Sequence, residues 1–150
     1  MTTPLEIPST LLESPSFQLE RLRRRTRDEV EAALSAKNTT LREYWVLTCL
    51  IEASASSQVS LGELLAIDAS DMVRLIDALE KNNWAKRERD PKDRRRQIVA
   101  ATKKGKNAHV ELTALVSEAE GRVLNDSTEK QLKHLRKLAT TVIVTEEAPQ

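Results

Sequence analysis

The side chains best able to do chemistry in this sequence are Lys and Arg residues gathered in one short segment. Residues 86–106 hold ten Lys or Arg and three Asp or Glu, a local charge of +7, whereas the formal charge of all 150 residues is +1. Such groups bind phosphate and displace the counterions of a nucleic-acid duplex, so a local patch suffices. Because six of the ten residues at 87–96 are basic, we interpret the segment as a phosphate-binding surface rather than a solubilising charge run.

Composition favours one mainly helical domain. The chain is 39% hydrophobic and 31% charged, with three Gly and one Phe, which suits helices better than a sheet. The single Cys49 cannot form an internal disulfide and lies in an apolar run, so we expect a reducing compartment, a packing role and no redox role. The sequence has no signal-peptide pattern and no apolar run near the ~20 residues of a membrane span. We therefore expect a cytoplasmic protein without a membrane partner.

An arm and two helices are predicted in the N-terminal third. Residues 1–13 contain two prolines and no sustained period, which indicates a flexible arm. Ser14 and Pro15 supply an N-cap and a first-turn proline for a helix that runs to about residue 37. The capping box of residues 40–43 begins a second helix, which is apolar nearly all round and should lie at the centre of the core.

Two further helices separated by a tight turn are predicted in the middle of the chain. The capping box of residues 60–63 opens a short helix, and Asp68 begins the next one. The apolar residues of that second helix follow the spacing that places them on one face: Met72, Leu75, Ile76 and Leu79.

A two-stranded hairpin is predicted directly after this helix pair. Asn83 can adopt the left-handed conformation that ends a helix. Strands at 84–89 and 94–101 flank a turn at 90–93, where Pro pre-sets one backbone angle. Thr102 begins a long helix, and residues 126–129 cap a last one. The order indicates a mainly α winged helix-turn-helix with a two-stranded β-wing, flanked by N- and C-terminal helices.

With these elements in place, the chain resembles the MarR family of bacterial transcription regulators. The likeness covers roughly residues 15–145 and is carried by three stretches: Leu79-Glu-Lys-Asn-Asn-Trp-Ala-Lys-Arg87, Asp90-Pro-Lys-Asp-Arg-Arg95 and Thr102-Lys-Lys-Gly105. Two departures are visible. Asn83-Trp84 stands where that family usually has Gly-Leu, and Ala101-Thr102 stands where it commonly has Leu-Thr.

Four outward-facing residues of the helix that begins at Asp68 are predicted to enter the major groove of DNA. Arg74 can bond a guanine edge or a phosphate, Ser70 can bond either, and Val73 offers a surface to a thymine methyl. Asp71 has two interpretations, since it can accept from a cytosine amine or can stabilise the helix N-terminus. A solvated helix face is the plain alternative for all four.

The hairpin is predicted to reach the minor groove and the DNA backbone. Arg94 is our choice for its tip, because a narrow minor groove attracts a guanidinium. Phosphate contacts, which add affinity without sequence information, are expected from Arg87, Arg89, Lys92 and Arg96. The family resemblance implies instead that Asp93 and Arg95 pair within the protein and hold the turn's shape.

Apolar surface on the terminal helices predicts a homodimer, and the resemblance implies that those helices form the interface. The first helix carries Phe17, Leu22, Val30 and Leu34. Its basic run at 21–27 is interpreted as a solvated or dimer-edge face, with a second DNA-contacting patch as the alternative. The predicted organisation is a flexible arm (1–13), N-terminal helices for dimerisation and core (14–54), the winged helix-turn-helix (55–101), C-terminal dimerisation helices (102–145) and a tail (146–150).

The expected function is a repressor that binds a pseudo-palindromic double-stranded operator as a dimer. The resemblance implies release by a small aromatic or anionic effector bound between the dimerisation and DNA-binding parts. Tyr44 and Trp45 are candidates to line that crevice, although core packing also explains them.

Two other classes of function compete with this expectation. An enzyme is disfavoured, because His109 and His134 sit among ordinary surface residues and the sequence shows no metal-ligand spacing, phosphate loop or nucleophile motif. Neither a cofactor nor a metal is therefore expected. A winged-helix module that binds a protein or RNA without operator specificity remains the alternative, since one fold hosts several functions.

Overall fold

The chain forms seven helices and one two-stranded sheet within residues 6–52 and 57–147, which the computed structural model describes. In chain order the elements are α1 (Ser9–Leu12), α2 (Pro15–Ser35), α3 (Leu41–Glu52), α4 (Gln58–Leu65), α5 (Ala69–Lys81), β1 (Ala85–Arg89), β2 (Gln97–Ala101), α6 (Lys103–Val123) and α7 (Glu129–Glu147). The two strands are antiparallel, with Ala85 opposite Ala101 and Arg89 opposite Gln97. The mainly α winged helix-turn-helix predicted from the sequence is confirmed.

Helix α3 lies at the centre of the core, as predicted, and contacts α2, α4, α5, α6 and β2. Its side chains Val46, Leu47 and Leu50 are almost completely buried. Burial of a side chain of this size contributes about 1.5–3 kcal/mol relative to its exposure to water. Trp84, which stands where the family that the chain resembles usually has leucine, is also buried and joins the same apolar cluster, so the larger ring is accommodated beneath the wing.

The capping residues predicted for α5 and α6 are confirmed. Asp68 Oδ1 accepts a hydrogen bond from the backbone N–H of Asp71 at 2.8 Å, and Thr102 Oγ1 accepts from that of Gly105 at 2.9 Å. Asn83 has φ of 62°, the left-handed conformation expected where the helix gives way to the wing.

Two predicted caps are wrong. The cap of α4 is Ser57, not Ser60, whose own N–H donates to Ser57 Oγ at 3.1 Å. The cap of α7 is Thr128 rather than Asp126, because Thr128 and Gln131 exchange side-chain bonds to each other's backbone N–H at 3.1 and 2.9 Å. In both cases a residue with a hydroxyl group, within three residues of the predicted cap, takes the role.

Several element boundaries also differ from the prediction. The arm of residues 1–13 contains the single helical turn α1, while residues 1–5 lie outside the described part of the chain, as does the boundary placed between residues 54 and 55. Strand β2 begins at Gln97 rather than at residue 94, since residues 94–96 complete the turn. Helix α7 continues to Glu147, inside the segment expected to be a tail, and residues 148–150 lie outside the description.

Residues 129–145 of α7 are exposed, apart from the half-buried Leu132, in contrast to α6. Leu112, Val116 and Ala119 of α6 are buried within one chain, whereas Leu138 and Val142 of α7 are about two-thirds exposed. Among the described residues, no helix is both long enough and apolar enough to cross a lipid bilayer.

Candidate nucleic-acid interface

Helix α5 presents one apolar face to the core and one polar face to solvent. Met72, Ile76 and Leu79 are completely buried, while Val73 is exposed and the Arg74 side chain is 75% exposed. Hydrogen bonds from the Asp71 amide and the Ser70 hydroxyl lower the pKa of Asp68, which keeps the cap ionised near the positive end of the helix dipole. The predicted groove-facing side is therefore free of the core.

The two polar candidates near the start of α5 already have partners. Ser70 Oγ donates to Asp68 Oδ1 at 2.8 Å. The Asp71 carboxylate pairs with Arg74 at 3.2 Å and with Arg42 of α3 at 3.6 Å. These pairs are partly exposed, so they are weak and can exchange for a nucleic-acid partner. The base-contact and helix-terminus interpretations of Asp71 both remain compatible with this geometry.

The wing tip, residues 90–96, is shaped by two aspartates that bond its own backbone. Asp90 Oδ1 accepts from the N–H of Lys92 at 2.9 Å, and Asp93 Oδ1 accepts from the N–H of Arg95 at 3.1 Å. Arg95 Nε lies 3.4 Å from the same Asp93 oxygen, although the Arg95 side chain is 93% exposed. Asp93 thus acts on the backbone of the turn more than on the guanidinium.

Exposed cations surround this shaped turn. Lys92, Arg94 and Arg96 are all exposed, and Arg89 reaches across the hairpin to donate to the carbonyl of Arg94 at 2.9 Å. That bond supports the tip from below. The predicted minor-groove residue Arg94 therefore sits on an ordered support with its side chain in solvent.

Arg87 does not match its predicted role as a phosphate contact. Its side chain is only 18% exposed and lies against α4 and α5, where it contacts Gln58, Asp77, Glu80 and the carbonyl of Val73. The charge run alone did not reveal this. A signal was present, because the period of a strand places Arg87 on the same face as Ala85, which is buried.

A cavity of about 710 Å³ lies beside the helix-turn-helix and is lined in part by Tyr44 and Trp45, the two effector candidates. Three arginines of α2 and α3 also line it: Arg23, Arg27 and Arg42. Two of its carboxylates are already engaged, since Glu31 accepts from the N–H of Leu41 and Glu43 accepts from the hydroxyls of Thr39 and Thr40. The cavity therefore combines an exposed indole with guanidinium groups.

His109 is not the ordinary surface residue that the sequence indicated. Its ring stacks on Tyr44 at 5.1 Å between centroids, and its Nε2 lies 2.8 Å from Thr48 Oγ1. Burial lowers the His109 pKa, and the nearby Glu52 opposes that shift. Tyr44 also bonds Thr113 at 3.0 Å, so its ring joins α3 to α6 as well as lining the cavity.

No group of His, Cys, Asp and Glu side chains suited to a metal ion occurs among residues 6–52 and 57–147. Burial, with a smaller effect from Glu52, raises the pKa of the Cys49 thiol. A raised pKa disfavours the thiolate that oxidation and metal binding require.

Taken together, the helix pair, the cationic hairpin and the flanking helices define a winged helix-turn-helix protein. Residues 39–96 match the model of the MarR family. Members of this family regulate transcription and are not enzymes.

Known proteins support this assignment at the level of sequence and fold. An HTH-type transcriptional regulator of Bacillus subtilis strain 168, YcgE, is 30% identical over 84 residues, which are 56% of this chain and 54% of that relative. The chain thus spans about half the length of this relative.

Solved structures match over most of the chain. A MarR-family transcriptional regulator from Rhodococcus sp. RHA1 is 25% identical with a TM-score of 0.80, covering 93% of this chain and 98% of that one. CouR from Rhodococcus jostii RHA1, solved bound to p-coumaroyl-CoA, is 27% identical with a TM-score of 0.78, covering 89% and 94%.

Proposed function

We propose that the protein is a transcriptional repressor that binds double-stranded operator DNA as a homodimer and is released by a small effector. The observation that carries the proposal is a set of exposed cations at 92–96 on an ordered hairpin whose strand β1 packs against α5. A helix in the major groove and a cationic wing in the neighbouring minor groove use these two surfaces together.

Direct reading of bases is assigned to α5. Arg74 reaches a guanine edge or a phosphate, Val73 packs on a thymine methyl, and Ser70 bonds a base or a phosphate after exchanging its bond to Asp68. Arg94 enters the minor groove, while Arg89, Lys92 and Arg96 contact phosphates. The phosphate contacts supply affinity, and the groove contacts supply specificity.

A second copy of the chain is proposed to cover the apolar face of α7. Leu135, Leu138 and Val142 are spaced along one side of this helix and are exposed within a single chain. Ile7, Leu11 and Leu22 add exposed apolar surface near the other end of the chain. A two-fold dimer through these helices places two copies of α5 on half-sites about one helical turn of DNA apart.

The dimer is tested by placing a charge on this face. Leu138→Asp should give a monomer in analytical ultracentrifugation and should lose operator binding, because one half-site contributes too little affinity alone. Thr140→Asp is the matched control, since residues two apart lie on different sides of a helix. An unchanged dimer in the Leu138 variant would remove α7 from the interface.

The effector is proposed to be an aromatic anion that occupies the cavity lined by Tyr44, Trp45 and the three arginines. Arg42 supplies a route to the DNA, because it lines the cavity and also pairs with Asp71 of α5. An anion in the cavity would pair with Arg42 and break its pair with Asp71. Asp71 would then pair with Arg74 alone, so Arg74 would no longer be available to contact a base. The p-coumaroyl-CoA bound to CouR supports an effector of this kind.

The primary test is an electrophoretic mobility shift on the DNA immediately upstream of the gene that encodes this chain. We expect a specific complex whose affinity falls steeply between low and physiological salt. An excess of unrelated duplex should not compete, and a double-stranded RNA of the same length should not compete. Binding that follows the RNA, or no binding to the duplex, would favour the RNA or protein-interaction alternative.

A panel of aromatic carboxylates together with p-coumaroyl-CoA should include a compound that dissociates this complex. Trp45→Ala should abolish that response without abolishing the complex. If no compound acts on the parent protein, the effector part of the proposal fails while the DNA-binding part stands.

A further inference from the structure

We propose that Arg87 is a positioning residue that locks the base of the wing onto α4 and α5, so that the wing tip and α5 meet neighbouring grooves of one duplex. The proposal rests on the proposed DNA-binding function. In this proposal Arg87 holds the wing against the helices, whereas the sequence predicted that it contacts a phosphate.

Every nitrogen of the Arg87 guanidinium has an acceptor. Nε donates to Gln58 Oε1 at 2.9 Å, one terminal nitrogen pairs with Asp77 at 2.8 Å and with Glu80, and the other lies 3.3 Å from the carbonyl of Val73. Three elements therefore meet at one side chain. We call this group of contacts the clamp.

Glu80 holds the backbone of β1 as well as the guanidinium. Its Oε2 accepts from the backbone N–H of Arg87 at 3.2 Å, while Oε1 contacts the side chain. An edge strand otherwise presents unpaired N–H groups to solvent. By satisfying one of them, Glu80 fixes the position of β1 relative to α5.

The chemistry of the clamp requires arginine and not merely a positive charge. A guanidinium presents five donors in a planar fork, whereas an ammonium is a compact charge with three donors and cannot reach the acceptors on α4 and α5 together. The low exposure of Arg87 (18%) and Glu80 (35%) also reduces the solvent screening of their pair, whereas Asp77 is 59% exposed and its pair is screened more.

The two carboxylates of the clamp should disfavour DNA binding, and their role in the clamp explains why they are present. Asp77 and Glu80 are carboxylates on the helix that must approach a polyanion, and their charges repel DNA. Removing one of them should strengthen DNA binding if charge alone matters. If the clamp positions the wing, the same change should weaken binding.

The first experiment replaces Arg87 while keeping its charge. We expect Arg87→Lys to bind the upstream duplex about tenfold more weakly than the parent, which corresponds to about 1.4 kcal/mol. Arg122→Lys is the matched control, because Arg122 also pairs with a carboxylate, that of Glu29, but lies on α6 outside the proposed DNA contacts. Its affinity should stay near that of the parent. Parent-like affinity in Arg87→Lys would return Arg87 to the phosphate contacts and overturn the proposal.

The second experiment removes a clamp carboxylate. Glu80→Gln should weaken binding several-fold although it deletes a negative charge near the DNA, whereas Glu63→Gln, at an exposed position of α4, should leave binding unchanged or tighten it. Tighter binding by Glu80→Gln would contradict the clamp. Thermal unfolding and sedimentation of each variant identify any that has lost its fold.

Hydrogen exchange of the backbone amides tests the clamp in the absence of DNA. In the full-length protein, Arg87→Lys and Glu80→Gln should increase exchange at the amides of residues 85–101 and leave α6 as protected as in the parent. Unchanged protection of these amides would overturn the proposal. If the parent protein binds no duplex, the proposed function is contradicted, and so is the role of the clamp in DNA binding. The exchange data would still show whether the clamp holds the wing against the helices.

Discussion

The base of the wing, which is the part of β1 around Arg87, and the tip, residues 90–96, both carry cationic side chains. The two regions place these side chains in different surroundings. At the base, Arg87 lies against α4 and α5 with acceptors for each of its nitrogens. At the tip, Lys92, Arg94 and Arg96 extend into solvent, and the backbone beneath them is held by Asp90 and Asp93. The base is therefore bound to the protein, while the tip is available to a partner.

This difference shows that a charge run has to be divided by the direction in which each side chain points. Along β1 the residues Ala85, Arg87 and Arg89 share one face, which begins against the core and ends at the tip. Arg87 lies at the middle of this path, where helices still cover it. Two residues further on, Arg89 bonds the carbonyl of Arg94 and supports the tip instead.

The largest expected effect comes from disturbing the base at Gly105. A Cβ there would lie 2.0 Å from the carbonyl oxygen of Trp84, a backbone atom that cannot move without displacing the wing. We expect Gly105→Ala to lower the free energy of unfolding by about 1–3 kcal/mol or more, measured by urea denaturation. The tip keeps its residues in this variant, so any loss of DNA binding would come from the base.

Gly121→Ala is the matched control in the same helix. A Cβ at Gly121 meets no atom within 4 Å, so alanine should stabilise α6 by up to about 1 kcal/mol through helix propensity. Equal stability changes in the two variants would mean that the close approach of α6 to Trp84 does not hold the base in place.

The next effect concerns the tip directly. Arg94→Ala should lower operator affinity by about 1–3 kcal/mol, the usual size of a good groove contact. Because Arg94 is exposed and its guanidinium faces solvent, the unfolding transition and the dimer should not change. Fluorescence anisotropy on the upstream duplex measures the affinity, and a variant that binds as tightly as the parent would remove Arg94 from the interface.

A smaller effect is expected from the support of the tip. Asp93→Ala removes the acceptor for the Arg95 amide, a hydrogen bond worth about 0.5–1.5 kcal/mol. Exchange at the amides of residues 87–97 should rise, and operator affinity should fall less than in the Arg94 variant. If the amides stay as protected as in the parent, Asp93 does not hold the turn.

Much of the fold could be predicted because its signals are local. Asp68 and Thr102 cap their helices, and Asn83 takes the left-handed conformation, since each role depends on neighbours a few residues away. The candidate residues of α5 could be chosen for the same reason, because the apolar period fixes which face is buried.

The predictions were wrong where two neighbouring residues can each cap a helix, or where contacts with distant elements determine the role of a side chain. Ser57 and Ser60 can each cap a helix, and in the structure Ser57 takes the role. The role of Arg87 depends on Gln58, 29 residues away, and that of His109 depends on Thr48, 61 residues away. Contacts at such separations leave no spacing pattern in one sequence. For Arg87 the available signal was the period of the strand, which places it on the same face as the buried Ala85.

The most direct test of the account is site-specific DNA cleavage by iron–EDTA tethered to the wing tip. The reagent is attached to Arg94→Cys in a Cys49→Ala background, and the complex with the upstream duplex is mapped on both strands. We predict cleavage in the minor groove on the outer side of each half-site, at two symmetric positions. Cleavage confined to the major groove, or a cleavage pattern with no two-fold symmetry, would contradict the placement of the wing tip and α5 in neighbouring grooves.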